Sequence, residues 1–186
     1  MTQDAKLVVL SGPSAVGKGT LANFIVTHHD GFDLSVSATT RAARPGEIDG
    51  LSYFFVSDEK FSQMIASGEL LEWATVHGQH RYGTPRSPVE LSVAAGKNVL
   101  LEIDVQGAFQ VKEAFPQALL VFVNPPSFAE LEVRMNKRGT EGPDDMLRRL
   151  ETAKSELKQA QAFDFQVIND EVARCAQEVV DLAKSN

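Results

Sequence analysis

"GPSAVGKGT", Gly12 to Thr20, follows the apolar run "KLVVL" at 6–10 and opens the helical stretch "TLANFIVTHH". Two glycines five apart with lysine next, set between a buried strand and a helix, are the pattern and the context of a phosphate-binding loop. The glycines let the backbone curl so that successive N–H groups point inward, and the helix start adds its positive end. Lys18 brings a point charge to the β- and γ-phosphates of a bound nucleotide. The expected cradle is therefore Gly12, Pro13, Ser14, Ala15, Val16, Gly17, Lys18, Gly19 and Thr20. Ala15 stands where glycine is common, and its Cβ predicts a negative φ at that point of the loop.

The residue after Lys18 is Gly19, where a Ser or Thr usually helps to hold magnesium. "GKGT" thus points away from motor and switch NTPases and toward small nucleotide kinases. Magnesium is then expected to be held mainly by phosphate oxygens and water, because the ion dehydrates reluctantly, with Thr20 assisting from one residue further on.

Outward from the loop, strand-like runs alternate with helical patterns, which predicts a mostly parallel α/β sheet flanked by helices. The candidate parallel strands are 6–10, 33–38, 98–103, 118–123 and 165–168. Ser87-Pro88 and Ser127 read as helix starts, Gly96 and Gly139 as helix ends. Residues 36–84 break the rhythm: "YFFV" at 53–56 and "LLEWATV" at 70–76 are strands around a short helix, an inserted lobe. A second interruption, 136–150, crowds Gly, Pro and both charge signs between two helices and reads as a lid. One domain is expected from 186 residues, with its core in about 1–35, 85–135 and 150–186.

Composition excludes other classes. A net charge of −7 disfavours a nucleic-acid surface, so any anionic ligand must be gripped locally. The N-terminus has an acidic residue, Asp4, where a signal peptide would want positive charge, and its apolar run is too short for an h-region or a membrane span. A cytoplasmic protein without membrane partners is expected. The single cysteine, Cys175, sits in an apolar-periodic stretch and reads as a small buried side chain.

Three further clusters carry chemistry. Arg41 and Arg44 lie three apart with Tyr53 nearby, which suits a phosphate dianion: guanidinium forks pair with its oxygens and the phenol adds a neutral donor. Glu72 lies on a strand whose alternation puts Leu71, Trp73 and Thr75 on one face and Glu72, Ala74 and Val76 on the other. A strand glutamate in such a pattern ordinarily marks the wet side. Glu102 and Asp104 lie two apart at the end of a buried strand, where P-loop enzymes place a carboxylate near magnesium. Asp104 also reads as a helix N-cap.

With these motifs in this order, the chain resembles the guanylate kinases, ATP-dependent kinases of GMP, across roughly residues 6–170. The likeness rests on "GPSAVGKGT", "SVSATTRAARPGEIDGLSYFFV", "LLEWATVHG" followed by "YGTP", "LLEIDVQGA", "NPPSFAELEVRMNKRG" and "VIND". It implies that Arg41, Arg44, Tyr53 and Tyr82 bind the GMP phosphate. Glu72 would accept from the guanine N1–H and amine, Ser37 would lie near O6, and Thr84 would complete the base pocket. Glu102, where the family usually has Asp, would contact the guanine side, and Asp104 would lie near the metal, indirectly through water. Arg138 and Arg149 would bridge the two nucleotides, Arg134 would contact ATP and Asn169 the adenine. "GQHRYGT" is one residue longer between Glu72 and Tyr82 than the family pattern, which predicts a bulged loop there.

Lid arginines fit the chemistry, because phosphoryl transfer needs positive charge spread around the equatorial oxygens more than it needs a base. Two rivals stand beside this reading. Guanylate-kinase-like modules that bind phosphorylated peptides have typically lost the lysine-bearing loop, which is intact here. A kinase of another small phosphate-bearing or sugar acceptor is the second, and dGMP is expected to serve as acceptor beside GMP. The sequence leaves monomer and homodimer equally open.

Overall fold

Leu7–Ser11 form β1, buried along its whole length because parallel strands flank it on both sides. In this computed structural model, residues 5–76, 78–138 and 143–185 are described, the side chains of 138 and 143–145 excepted. The chain continues through α1 (Lys18–His28), β2 (Phe32–Leu34), β3 (Ala38–Thr39), β4 (Phe54–Phe55), α2 (Asp58–Ala66), β5 (Leu70–Val76) and β6 (His80–Pro85). It then forms α3 (Arg86–Ala94), β7 (Asn98–Glu102), α4 (Val105–Ala114), β8 (Leu119–Asn124) and α5 (Phe128–Arg138). The last elements are α6 (Pro143–Lys158), a single 3-10 turn at Ala160–Ala162, β9 (Phe165–Ile168) and α7 (Val172–Ser185).

The main sheet has the order β2-β7-β1-β8-β9, and every neighbouring pair is parallel. Alternate residues of its strands feed two cores. Val8, Leu10, Leu100, Val121 and Val123 meet α1 and α7 through Leu21, Ile25, Cys175, Val179 and Val180. Leu7, Val9, Val99, Leu101 and Phe122 meet α3 and α4 through Val89, Ala108 and Val111 on the opposite face. Helices on both faces explain why these strands are almost wholly apolar rather than alternating.

The chain crosses from β1 over β7 to β2, and later returns to place β8 on the other side of β1. The carboxyl ends of β1 and β7 therefore border the crevice where an open α/β sheet binds its ligands.

The inserted lobe is a four-stranded sheet, β4-β3-β6-β5, packed on α2 through Phe61, Met64, Ala38 and Leu70. Two expectations change here. Residues 33–38 are not one strand: β2 stops at Leu34, and the Ser37 carbonyl already accepts from Phe54 in the second sheet. The stretch predicted as a loop before Tyr82 begins β6 at His80, paired regularly from Trp73↔Gly83 to Val76↔His80. The irregularity lies at the other end of that hairpin, between Leu70 and Trp73.

Helix punctuation mostly follows the sequence. The Ser127 hydroxyl accepts from Glu130 N–H at 3.1 Å to start α5, and Gly96 leaves α3 with φ 79°. α3 begins at Arg86, two residues before Pro88, the expected first helical position, and Pro88 is tolerated in the first turn because the N–H it lacks has no partner there anyway. The described part of 136–150 is helical, the end of α5 and the start of α6, while Gly139 falls outside the described residues.

Candidate active site

The loop between β1 and α1 curls through three residues of positive φ: Gly12 at 140°, Ala15 at 65° and Gly17 at 98°. Ala15 thus overturns the expectation of negative φ. Turning successive N–H groups toward one centre needs a left-handed residue at this point, and alanine adopts it against the strain of its Cβ. Gly12 is obligatory in a different sense: a Cβ there would lie 2.4 Å from the Val123 carbonyl of β8. The first turn of α1 has neither an acidic residue nor a capping side chain, so its N–H groups are left for an anion. Lys18 Nζ folds back onto the Gly12 carbonyl at 2.5 Å.

Behind the loop, Asn169 Nδ2 donates to the Val16 carbonyl at 2.9 Å, and Arg134 Nη1 reaches the same carbonyl at 3.2 Å. Arg134 also donates to the Asn169 carbonyl and pairs with Glu130 one turn back along α5. Both residues brace the loop from outside the cavity it lines. In front, a Cβ at Gly19 would meet Glu102 Oε2 at 3.1 Å, so the missing hydroxyl makes room for a carboxylate. Thr20 is exposed on α1 and does not face the cavity.

One cavity of about 560 Å³ joins this loop to the lobe. Its lobe wall carries Ser37, Arg41, Arg44, Tyr53, Glu72 and Tyr82, and its sheet wall Glu102 and Asp104. Glu72 is 4% exposed. The strand's face is therefore the reverse of a wet one: Glu72 and Ala74 point into the molecule while Trp73 and Thr75 face solvent. Thr84 Oγ1 donates to Glu72 Oε1 at 2.7 Å, and Glu72 Oε2 rests against Gly107 on the first turn of α4. Burial, reinforced by Asp104, pushes the Glu72 carboxyl up to about 7 against the pull of Thr84.

Arg41 is almost buried. Its fork is bidentate to Glu47 with both contacts at 2.9 Å, and its Nε donates to Tyr82 Oη at 3.1 Å. Its guanidinium also lies 5.4 Å from the centre of the Tyr53 ring. Glu47 accepts in addition from the Arg44 N–H at 2.8 Å, and its carboxyl is held below the usual range, chiefly by Arg41. Burial raises the Tyr53 phenol, which therefore stays a neutral hydrogen-bond donor at physiological pH.

Asp104 is the N-cap of α4, accepting from Gly107 N–H at 2.7 Å. It thus fills the capping role and lines the cavity at once. From α6, Arg149 donates to Ser14 Oγ, and Glu156 projects toward the same loop. Among the described residues no group of three or more His, Cys, Asp or Glu side chains is arranged to hold a metal ion. The two carboxylates at the end of β7 supply hard oxygen donors facing the loop, which fits an ion carried largely by phosphate oxygens and water.

A family model described as guanylate kinase matches residues 4–186. The chain belongs to the guanylate kinase family. A guanylate kinase of Leifsonia xyli subsp. xyli is 55% identical over 176 residues, covering 95% of this chain and 69% of that protein. One from Nocardia farcinica is 51% identical over 182 residues, covering 97% and 94%. The crystal structure of guanylate kinase from Anaplasma phagocytophilum superposes with a TM-score of 0.79 at 33% identity, over 98% of this chain and 87% of that one.

For this guanylate kinase family member, the structure gathers the loop and Ser37, Arg41, Arg44, Tyr53, Glu72, Tyr82, Glu102, Asp104 and Arg149 around one cavity. Thr84 sits behind Glu72, Arg134 and Asn169 sit behind the loop, and Pro13 and Thr20 stand off the cavity wall. The side chain of Arg138 is outside the described residues. Sequence reasoning missed Glu47, Gly107 and Glu156. The three-residue spacing of Arg44 and Glu47 in a turn is a weak signal for the first, and no local pattern marks the other two.

Proposed function

We propose that the protein transfers the γ-phosphoryl group of ATP to GMP, giving ADP and GDP. The observation that carries this reading is the single cavity that puts an anion-binding loop with its lysine opposite a buried carboxylate and an arginine-tyrosine cluster. The loop amides and Lys18 hold the donor phosphates. Arg41, Arg44, Tyr53 and Tyr82 hold the acceptor phosphate, with Glu47 yielding part of the Arg41 fork to it. Glu72 accepts from guanine N1–H and the exocyclic amine, and Ser37 lies near O6. Adenine lacks the N1–H, so AMP would leave a desolvated carboxylate unpaired.

Magnesium, when bound, neutralises charge on the donor phosphates. Asp104 would hold it through water, with Glu102 beside Gly19 as a second oxygen source, while Thr20 is turned away. Arg134 and Asn169 serve the donor side by fixing the loop. Arg138 and Arg149 bring positive charge to the transferring group when the lid closes. No covalent intermediate is needed, because both reactants are held in one cavity and positioning with electrostatics supplies the catalysis. The protein is taken to act in the cytoplasm on free nucleotides, without nucleic acid or membrane. No described helix is long and apolar enough to cross a membrane.

Lys18→Ala tests the donor half. Turnover in a coupled ADP-release assay should fall by about 10³-fold or more, the scale of losing a principal transition-state charge, while GMP still binds. Near wild-type turnover would remove the loop from the mechanism.

A further inference from the structure

β5 is the outer strand of the lobe sheet, paired with β6 on one side only, and its residues Glu72, Ala74, Thr75 and Val76 line the cavity. An outer strand leaves a row of main-chain N–H and C=O groups without a neighbouring strand. At Trp73, next to Glu72, both groups are taken by one side chain. Gln110 Nε2 donates to the Trp73 carbonyl at 2.8 Å, and the Trp73 N–H donates to Gln110 Oε1 at 3.2 Å. A primary amide carries a donor and an acceptor side by side, so it pairs with β5 as a residue of a further strand would.

Gln110 lies on α4, about one turn after Gly107 and on the same side of the helix. Gly107 is where Glu72 Oε2 rests. One helix face thus seats the carboxylate and clamps the main chain that carries it. The clamp also falls where the strand needs it. Pairing with β6 is irregular between Leu70 and Trp73, and Leu70, Leu71 and Glu72 are buried in succession, so alternation is lost there. Regular pairing resumes only at Trp73, and the depth of Glu72 is set from the α4 side. We propose that Gln110 is a positioning residue for base selection: its amide fixes the β5 main chain at Trp73 so that the Glu72 carboxylate meets two donors of one base at once. This rests on the guanine reading of Glu72. Accepting from N1–H and the exocyclic amine together demands a set position of the carboxylate, whereas a single contact tolerates a shift. Gln110 itself stands outside the cavity wall. Trp73 is exposed and Gln110 half-buried, so water replaces the two bonds when they are lost and the fold survives.

The test is kcat/KM for GMP and for IMP, whose base keeps N1–H and O6 but lacks the amine, at saturating Mg-ATP. It is run on wild type, Gln110→Met and Gln110→Ala, and on Gln110→Met combined with Glu72→Gln. Methionine keeps the length of the side chain and removes both hydrogen bonds; if the alanine variant loses its fold, the methionine variant decides. For GMP kcat/KM should fall about tenfold or more, since a misplacement of about 1 Å costs on the order of 10²-fold, while KM for ATP stays within about twofold. The GMP-to-IMP ratio should fall about threefold or more, the size of one weakened hydrogen bond to a charged group. Combined with Glu72→Gln, Gln110→Met should add little, because both changes act on one contact. An unchanged GMP-to-IMP ratio in Gln110→Met overturns the proposal. So do a fully additive loss in the double variant and equal losses for GMP and ATP, which mark a merely structural role. A wild type that does not prefer GMP to IMP would instead overturn the guanine reading of Glu72, and Gln110 would have no base contact to position.

Discussion

Gly107 and Glu72 meet at the start of α4, where a methyl group on residue 107 would lie 2.3 Å from Glu72 Oε2. The carboxylate has no room to retreat, since Thr84 holds its other oxygen. Gly107→Ala should therefore expel Glu72 from its position while adding helix propensity to α4. The expected result is a folded protein whose kcat/KM for GMP falls by about 2 kcal/mol of transition-state stabilisation or more, with Lys18-dependent ATP binding intact. Wild-type GMP efficiency in that variant would show that Glu72 does not need this seat. A second residue-scale prediction concerns pH. The folded Glu72 carboxyl is raised to about 7 from an ordinary 4.5, so the folded state holds its proton more tightly than the unfolded chain. Its contribution to stability is complete below about 4.5 and is lost as pH rises through about 7. The thermal midpoint of the unliganded wild type, relative to Glu72→Gln, should decline between pH 5 and pH 8, and a flat difference would contradict the burial argument. At this scale the sequence was informative where a motif names its residue: Lys18, Arg41, Tyr53 and Glu72 all reach the cavity. Glu47, Gly107 and Glu156 were not legible, because each acts on a residue brought near it by folding, and Glu72 read as solvent-facing because alternation cannot tell which side of a strand a second layer will cover. Ala15 was misread because Cβ sterics alone do not register the demand of a phosphate-facing backbone.

Among the elements, α6 is the one whose position matters most to catalysis. It carries Arg149 and Glu156 to the loop, yet none of Met146 to Leu150 is fully buried, and Leu147 and Arg148 are exposed. Such a segment opens locally at low free-energy cost, and closure over two nucleotides, as proposed, would give it new partners. Hydrogen exchange in 146–158 should slow in the presence of a bisubstrate analogue joining adenosine and guanosine through phosphates. Exchange unchanged by that ligand would remove α6 from the lid. The long strands and helices were legible because apolar periodicity over five or more residues is set by the layers around them. The short ones were not: β3 and β4 hold two residues each, and the break after Leu34 is dictated by where Phe54 arrives from later in the chain.

At the scale of the whole molecule, the parallel sheet with its loop forms one wall of the cavity and the inserted lobe the other, the division on which the proposed separation of donor and acceptor rests. The division was visible in the sequence as a break in the strand-helix rhythm at 36–84, while the meeting of the two walls was not, since it depends on β5 packing against α4. The central claim is that the lobe wall reads guanine through Glu72. It is tested by kcat/KM for GMP and AMP on wild type and Glu72→Gln at saturating Mg-ATP. Wild type should prefer GMP by roughly 10⁴ or more, and the variant should lose about 2–4 kcal/mol on GMP alone, because an amide that also donates replaces an acceptor-only group. A GMP-to-AMP ratio left unchanged by Glu72→Gln would contradict the account.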